Sequence, residues 1–268
     1  MVMHILLLMA LGAACGLLAG LLGIGGGVVI VPVLVSYFAF FHLQRDLTMH
    51  YAAGTSFGIM IFTAISSVYQ HKRLGHMIFP IIVRMLPWVV LGTCLGAIVA
   101  RFLHSAVLSI IFGVFLLLIS ANMLFKLKGV KRYIHRKINR QHVRIVSTLI
   151  GLMSGMLGIG GGALTVPFLR YNGIPMKKSS GSAAFLTLPI ALCGFTLFLI
   201  LGLSRHTLPW ATGYIYWPAI LCVAPISILF ANLGARLTHR LRPEILQIAF
   251  SLLLVVLGVK MLWISLVL

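Results

Sequence analysis

The sequence predicts an all-α polytopic membrane protein made of two homologous repeats of four hydrophobic segments, inverted relative to each other, each opening with a glycine-broken or re-entrant segment. Three observations carry this reading. Hydrophobic residues fill 61% of the 268 positions and charged residues 9%, too few polar groups to cover a soluble domain. Apolar runs of about 18 or more residues, the length a helix needs to cross a bilayer core, recur along the chain. One glycine-rich segment occurs twice: Gly16 to Leu34 reads GLLAGLLGIGGGVVIVPVL and Gly151 to Leu169 reads GLMSGMLGIGGGALTVPFL, with 12 of 19 positions identical.

The apolar segments fall at about 4–41, 51–69, 78–99 and 106–125, then at 145–171, 181–203, 214–233 and 245–268. A basic stretch at 126–144 divides them four and four, which gives a first membrane repeat over 1–125, a cytoplasmic linker, and a second repeat over 145–268. The duplication outlasts the glycine motif. Ala53-Gly54-Thr55-Ser56 corresponds to Ser180-Gly181-Ser182-Ala183 at an offset of 127, and Gly96-Ala97 to Gly234-Ala235 at an offset of 138. Within the linker, Leu127, Val130, Ile134 and Ile138 recur at helical spacing among Lys and Arg. That pattern fits a basic helix lying on the cytoplasmic leaflet or a solvated basic loop.

Charge orients the repeats. With 126–144 in the cytoplasm and the chain turning back at each GIGGG, the inside loops hold 16 basic residues: Lys72, Arg73, eight in the linker, Arg170, Lys177, Lys178, Arg236, Arg240 and Arg242. The outside loops then hold three, Arg45, Arg101 and Arg205. If each glycine-bearing segment crossed once, the division would be 11 to 8, a poorer fit to the positive-inside rule. The fold-back leaves three full crossings per repeat, and an odd number inverts the second repeat. Residues 145–158 and 163–171 are each too short to span about 30 Å, whereas 5–22 could cross alone, so a single broken helix stays open as the alternative.

Composition excludes several classes. The net charge of +19 stands against two acids, Asp46 and Glu244. It reads as an orientation signal and contact with membrane lipid, or as suitability for a small anionic substrate. No soluble domain exists to bind nucleic acid. Cys15, Cys94, Cys193 and Cys222 stand singly in apolar segments without a CxxC pair, and no HxxxH or HExxH spacing occurs, so neither a metal site nor a cofactor is expected. No carboxylate lies inside an apolar segment, which disfavours a carboxylate proton relay. Gly12-Ala13-Ala14-Cys15 resembles a cleavage site, but the repeat alignment makes the residues after Cys15 part of the membrane architecture.

The candidate substrate-binding residues are Gly23, Gly25, Gly26 and Gly27 with Gly158, Gly160, Gly161 and Gly162. Glycine lets a backbone unwind and a ligand approach closely. N–H groups freed at a half-helix start lie at a positive dipole end, a ready anion site. Close helix packing is the competing use of such glycines, and it suits the outer Gly12-x3-Gly16-x3-Gly20 and Gly151-x3-Gly155 series better. Pro32 and Pro167 each lack an N–H and so extend the irregular region. Thr55, Ser56 and Ser182, with Ser179 and Ser180, open the next segment of each repeat; their hydroxyls can donate to an oxyanion or bond a carbonyl one turn back. Arg84 lies in an apolar segment without an acidic partner, where it either attracts substrate or snorkels to the interface.

GLLAGLLGIGGGVVIVPVL with AAGTS, repeated as GLMSGMLGIGGGALTVPFL with GSA, resembles the TauE/SafE family over essentially the whole chain. The resemblance implies a multi-pass permease of the bacterial inner membrane that exports sulfite or a related sulfur oxyanion or organosulfonate, and not an enzyme. It implies that Gly25–Gly27 and Gly160–Gly162 line the path, flanked by Thr55, Ser56 and Ser182. Ser182-Ala183 replaces the Thr-Ser pair in the second repeat, so the two hydroxyl sets differ. A passive anion channel and a cysteine-dependent membrane sulfur-relay protein are the alternatives. A homo-oligomer is left open.

Overall fold

The computed structural model describes residues 2–22, 26–41, 45–126, 139–204, 208–238 and 243–267. Among the described residues the apolar runs become ten helices: α1 (Val2–Leu22), α2 (Gly27–Phe40), α3 (Thr48–Arg73), α4 (Phe79–Phe102), α5 (Ser105–Lys126), α6 (Arg140–Leu157), α7 (Gly162–Tyr171), α8 (Met176–Gly202), α9 (Trp217–Thr238) and α10 (Pro243–Val267). A 3-10 turn at Arg45–Leu47 precedes α3. Among the described residues, α3, α4, α5, α8 and α10 are each long and apolar enough to cross a bilayer. The protein is an all-helical, polytopic membrane protein. Gly23, Gly25 and the linker pattern at Leu127, Val130, Ile134 and Ile138 lie outside the described residues.

Two local features differ from the hydropathy reading. α6 starts at Arg140 rather than 145, because the Asn139 side chain accepts the Gln141 N–H at 3.1 Å and caps a first turn too basic to register as apolar. Ala211–Thr212 (β1) and Ile215–Tyr216 (β2) form an antiparallel pair, with Ala211 opposite Tyr216 and Thr212 opposite Ile215. Its two-residue turn uses Gly213 at φ +59. The pair is too short to leave an alternating pattern in the sequence.

The helices pack in pairs that cross the repeat boundary: α4 on α6, α1 on α9, and α5 on α10. Glycines set the first two contacts. A Cβ on Gly92 would overlap the Thr148 carbonyl and one on Gly96 the Leu152 carbonyl; from the other side, Gly151 meets Val89 and Gly155 meets Thr93. Residue numbers rise together, so α4 and α6 run parallel at near-backbone contact. Gly12 against Val223 and Gly16 against Ser227 make the matching parallel pair α1–α9. α5 and α10 run antiparallel, with Gly113 against Gly258 and the Ser120 hydroxyl on the Ser251 carbonyl at 2.8 Å.

Hydroxyls and glycines tie α3 and α8 to the opposite repeat's fourth helix. Thr55 Oγ1 accepts the Tyr216 N–H, just before α9, at 3.0 Å. Ser182 Oγ accepts the Ile78 N–H, just before α4, at 3.1 Å. Gly54 abuts the Tyr214 carbonyl and Gly181 the His76 carbonyl. Both pairs of contacts repeat at the offsets of 127 and 138. The start of α8 thus lies beside the start of α4, the end from which α6 also departs. α7 runs back to that end through the turn at 172–175. The start of α3 lies beside that of α9, the end from which α1 departs.

Candidate functional site

The second glycine motif is an abrupt break. Gly158 ends α6 in the left-handed region at φ +73, where its N–H and that of Ile159 share the Ser154 carbonyl at 3.0 and 3.1 Å. Gly161, at φ +70, precedes α7, and its carbonyl takes the Leu164 and Thr165 N–H groups. Two left-handed positions within four residues are a conformation that side-chain-bearing residues resist. Among the described residues, no acceptor reaches the N–H of Gly160, Gly162 or Ala163. α7 has ten residues, about 15 Å at 1.5 Å each, so it covers half a bilayer core.

The two motifs meet. A Cβ on Gly27 would stand 3.0 Å from Gly160 N, 3.3 Å from Ile159 Cα and 2.6 Å from Met60 Sδ. The start of α2 therefore sits in backbone contact with the break that opens α7. The meeting point lies about midway along the two central helices. Met60 is the thirteenth of the 26 residues of α3, and Thr187, whose Cγ2 would stand 2.5 Å from a Cβ on Gly160, is the twelfth of the 27 of α8.

Hydroxyls surround this point. Ser56 Oγ donates to the Gly158 carbonyl at 2.7 Å and lies 2.8 Å from the Ala53 carbonyl. Thr187 Oγ1 donates to the Gly160 carbonyl. Ser154 and Thr165 are fully buried, and neither hydroxyl has a hydrogen-bond partner among the described residues. Ser154 Oγ would stand 3.4 Å from a Cβ on Gly161. A buried hydroxyl without a partner is costly; the hydroxyls of Ser109, Ser147 and Ser227 share that state, and only Ser154 and Thr165 flank the start of α7. Ser154, Thr165 and Thr187 escaped the sequence reading. Their counterparts in the first repeat are Ala19, Ile30 and Met60, so repeat symmetry gave no signal; isolated polar residues in apolar runs were the only trace.

The remaining candidates scatter. Gly26 precedes α2 and accepts the Val29 and Ile30 N–H groups. Thr55 and Ser182 face the opposite repeat's fourth helix, and Ser179 donates to the Ile174 carbonyl at 3.2 Å. Arg84 is exposed, six residues into α4. Among the described residues no three His, Cys, Asp or Glu side chains gather as a metal site. Two cysteines that stand 99 positions apart do come together: Cys94 on α4 and Cys193 on α8, with sulfurs 3.2 Å apart.

The family described as "Sulfite exporter TauE/SafE" matches residues 8–261. A Haemophilus influenzae protein described as a probable membrane transporter protein is 33% identical over 96% of this chain and 97% of its own length. Similarly described proteins of Methanocaldococcus jannaschii and Bacillus subtilis are 26% and 25% identical, over 96% and 97% of this chain and 94% and 98% of theirs. No solved structure matches.

Proposed function

We propose, for a chain that belongs to the TauE/SafE family of membrane transporters, that the cargo is a small oxyanion, sulfite or an organosulfonate, exported across the cytoplasmic membrane of a bacterium. One observation carries the reading. α7 starts at a glycine break, and the start of α2 at Gly27 touches that break midway along α3 and α8, where N–H groups and two hydroxyls without partners among the described residues stand together. Helix starts and backbone N–H groups favour negative charge, and discontinuous helices meeting at mid-depth are a recurrent transporter site.

The N–H groups of Gly160, Gly162 and Ala163 and the hydroxyls of Ser154 and Thr165 replace the water of the oxyanion. Gly26 and Gly27 bring the second dipole end. Ser56 and Thr187 hold the Gly158 and Gly160 carbonyls and so aim the loop. Thr55 and Ser182 act at a distance, by fixing α9 and α4. Donors without a full charge let the ligand leave again. Arg84 serves lipid headgroups at the interface. The two repeats are inverted, a reading supported by the offset contacts and by the parallel pairs α1–α9 and α4–α6.

The test is labelled sulfite uptake into proteoliposomes of the purified protein, with and without a pH gradient and against sulfate and sulfonate competitors. Saturable flux that disappears with Gly26→Val and Gly161→Val is the expected result. Non-saturable flux insensitive to counter-substrate would favour a passive anion channel. A folded protein without sulfite or sulfonate flux would defeat the assignment.

A further inference from the structure

The two ends of the proposed path are built from equivalent positions with opposite chemistry. At the end where α3 and α9 begin, Phe198 and Tyr214 pack edge to face with ring centroids 6.2 Å apart. Tyr214 also meets His50 at 5.2 Å and Tyr51 at 5.8 Å, and Phe38 meets Tyr51 at 6.3 Å. These residues are all buried, so this end is an aromatic plug.

The same offsets of 127 and 138 carry Phe198 and Tyr214 onto His71 and His76. Those two rings also pack together, with centroids 5.8 Å apart, but both residues are partly exposed. His50 and Tyr51 become Lys177 and Lys178, both exposed in the first turn of α8. The His76 carbonyl abuts Gly181 in the next turn, so the histidine pair sits against that helix start. His71 Nδ1 is buried and has no hydrogen-bond partner. Lys72 and Arg73 end α3 as exposed cations, and Arg170 ends α7 at the same end. α4 brings no titratable side chain here before Arg84; Asp46 lies at the opposite end, and Glu244 opens α10, which packs on α5.

We propose that His71, His76, Lys177 and Lys178 form a receiving site for a small oxyanion at the cytoplasmic mouth, distinct from the glycine site and asymmetric across the membrane. The inference rests on the carrier reading for the onward passage of the anion from this mouth. Two clustered imidazoles offer N–H groups to an oxyanion, the lysines add positive charge, and a helix start adds its positive dipole end.

The experiment follows the imidazole resonances of the whole protein in lipid nanodiscs while sodium sulfite is added, with His71→Gln and His76→Gln used for assignment. Sulfite should shift both resonances saturably, while His50 stays unmoved. Lys177→Gln with Lys178→Gln, an exposed pair whose loss spares the fold, should weaken that binding about fivefold to tenfold. In proteoliposomes the same pair should raise KM for sulfite offered on the cytoplasmic face and leave KM from the other face unchanged. Unshifted resonances at saturating sulfite, or equal KM changes on both faces, would overturn the proposal. Shifted resonances in a protein that carries no sulfite would uphold the receiving site and defeat the cargo assignment instead.

Discussion

Gly161 concentrates two demands that a single methyl group tests. Its φ of +70 costs an L-residue about 1–2 kcal/mol, and an added Cβ would stand 2.5 Å from Ile190 Cδ1. Gly161→Ala should lower the thermal midpoint measurably and cut sulfite flux at least tenfold, read by calorimetry and by uptake on the same preparation. Ser154→Ala should separate binding from stability. Its buried hydroxyl has no partner among the described residues, so its removal should leave stability unchanged or raise it while KM rises. Ser56→Ala removes a bond to Gly158 and should destabilise by about 1 kcal/mol. At this scale the sequence exposed the glycines, whose clustering inside an apolar run has few other uses. It did not expose what each hydroxyl does. Thr55 and Ser182 turn to the opposite repeat, more than 100 positions away, and Ser154 hides within a small-residue series that packing alone explains.

Helices that touch through glycine tolerate no added bulk. Gly92→Leu drives a side chain into the Thr148 carbonyl, and the expected result is loss of folded protein by size-exclusion chromatography. Thr55→Val is milder. It leaves the Tyr216 N–H without its acceptor, at a cost of about 1–3 kcal/mol, and hydrogen exchange at the start of α9 should quicken more than in α5. Hydropathy located every long helix, because a bilayer-crossing run of some twenty apolar residues is hard to mistake. It failed where side-chain chemistry overrides hydropathy: at Arg140, where an asparagine cap starts a basic turn, and at 211–216, where two-residue strands carry no period.

Across the whole molecule the fourth helices are exchanged. α9 packs on α1 and α3, while α4 packs on α6 and α8. Where a transporter alternates access by rocking one body against another, these contacts group α1, α2, α3 and α9 against α4, α6, α7 and α8, rather than one sequence repeat against the other. Cys94 and Cys193 join the two repeats yet lie within one of these bodies. Oxidising the pair to a disulfide with copper phenanthroline should therefore leave sulfite flux intact, and Cys94→Ala with Cys193→Ala should leave it intact as well. Blocked flux on oxidation would restore the repeats as the moving units. The exchange was illegible in the sequence because it is a property of which helices touch, whereas hydropathy reports only which segments cross.

The position of the bound anion decides whether the glycine breaks form the carrier's site. Selenite, a heavier analogue of sulfite, can be soaked into crystals grown from lipid and found by its anomalous scattering. The expected peak lies at the start of α7, beside its meeting point with Gly27, within hydrogen-bond reach of Ser154 Oγ and the Gly162 N–H. A peak elsewhere in the membrane, with that meeting point empty at saturating selenite, would contradict the glycine site.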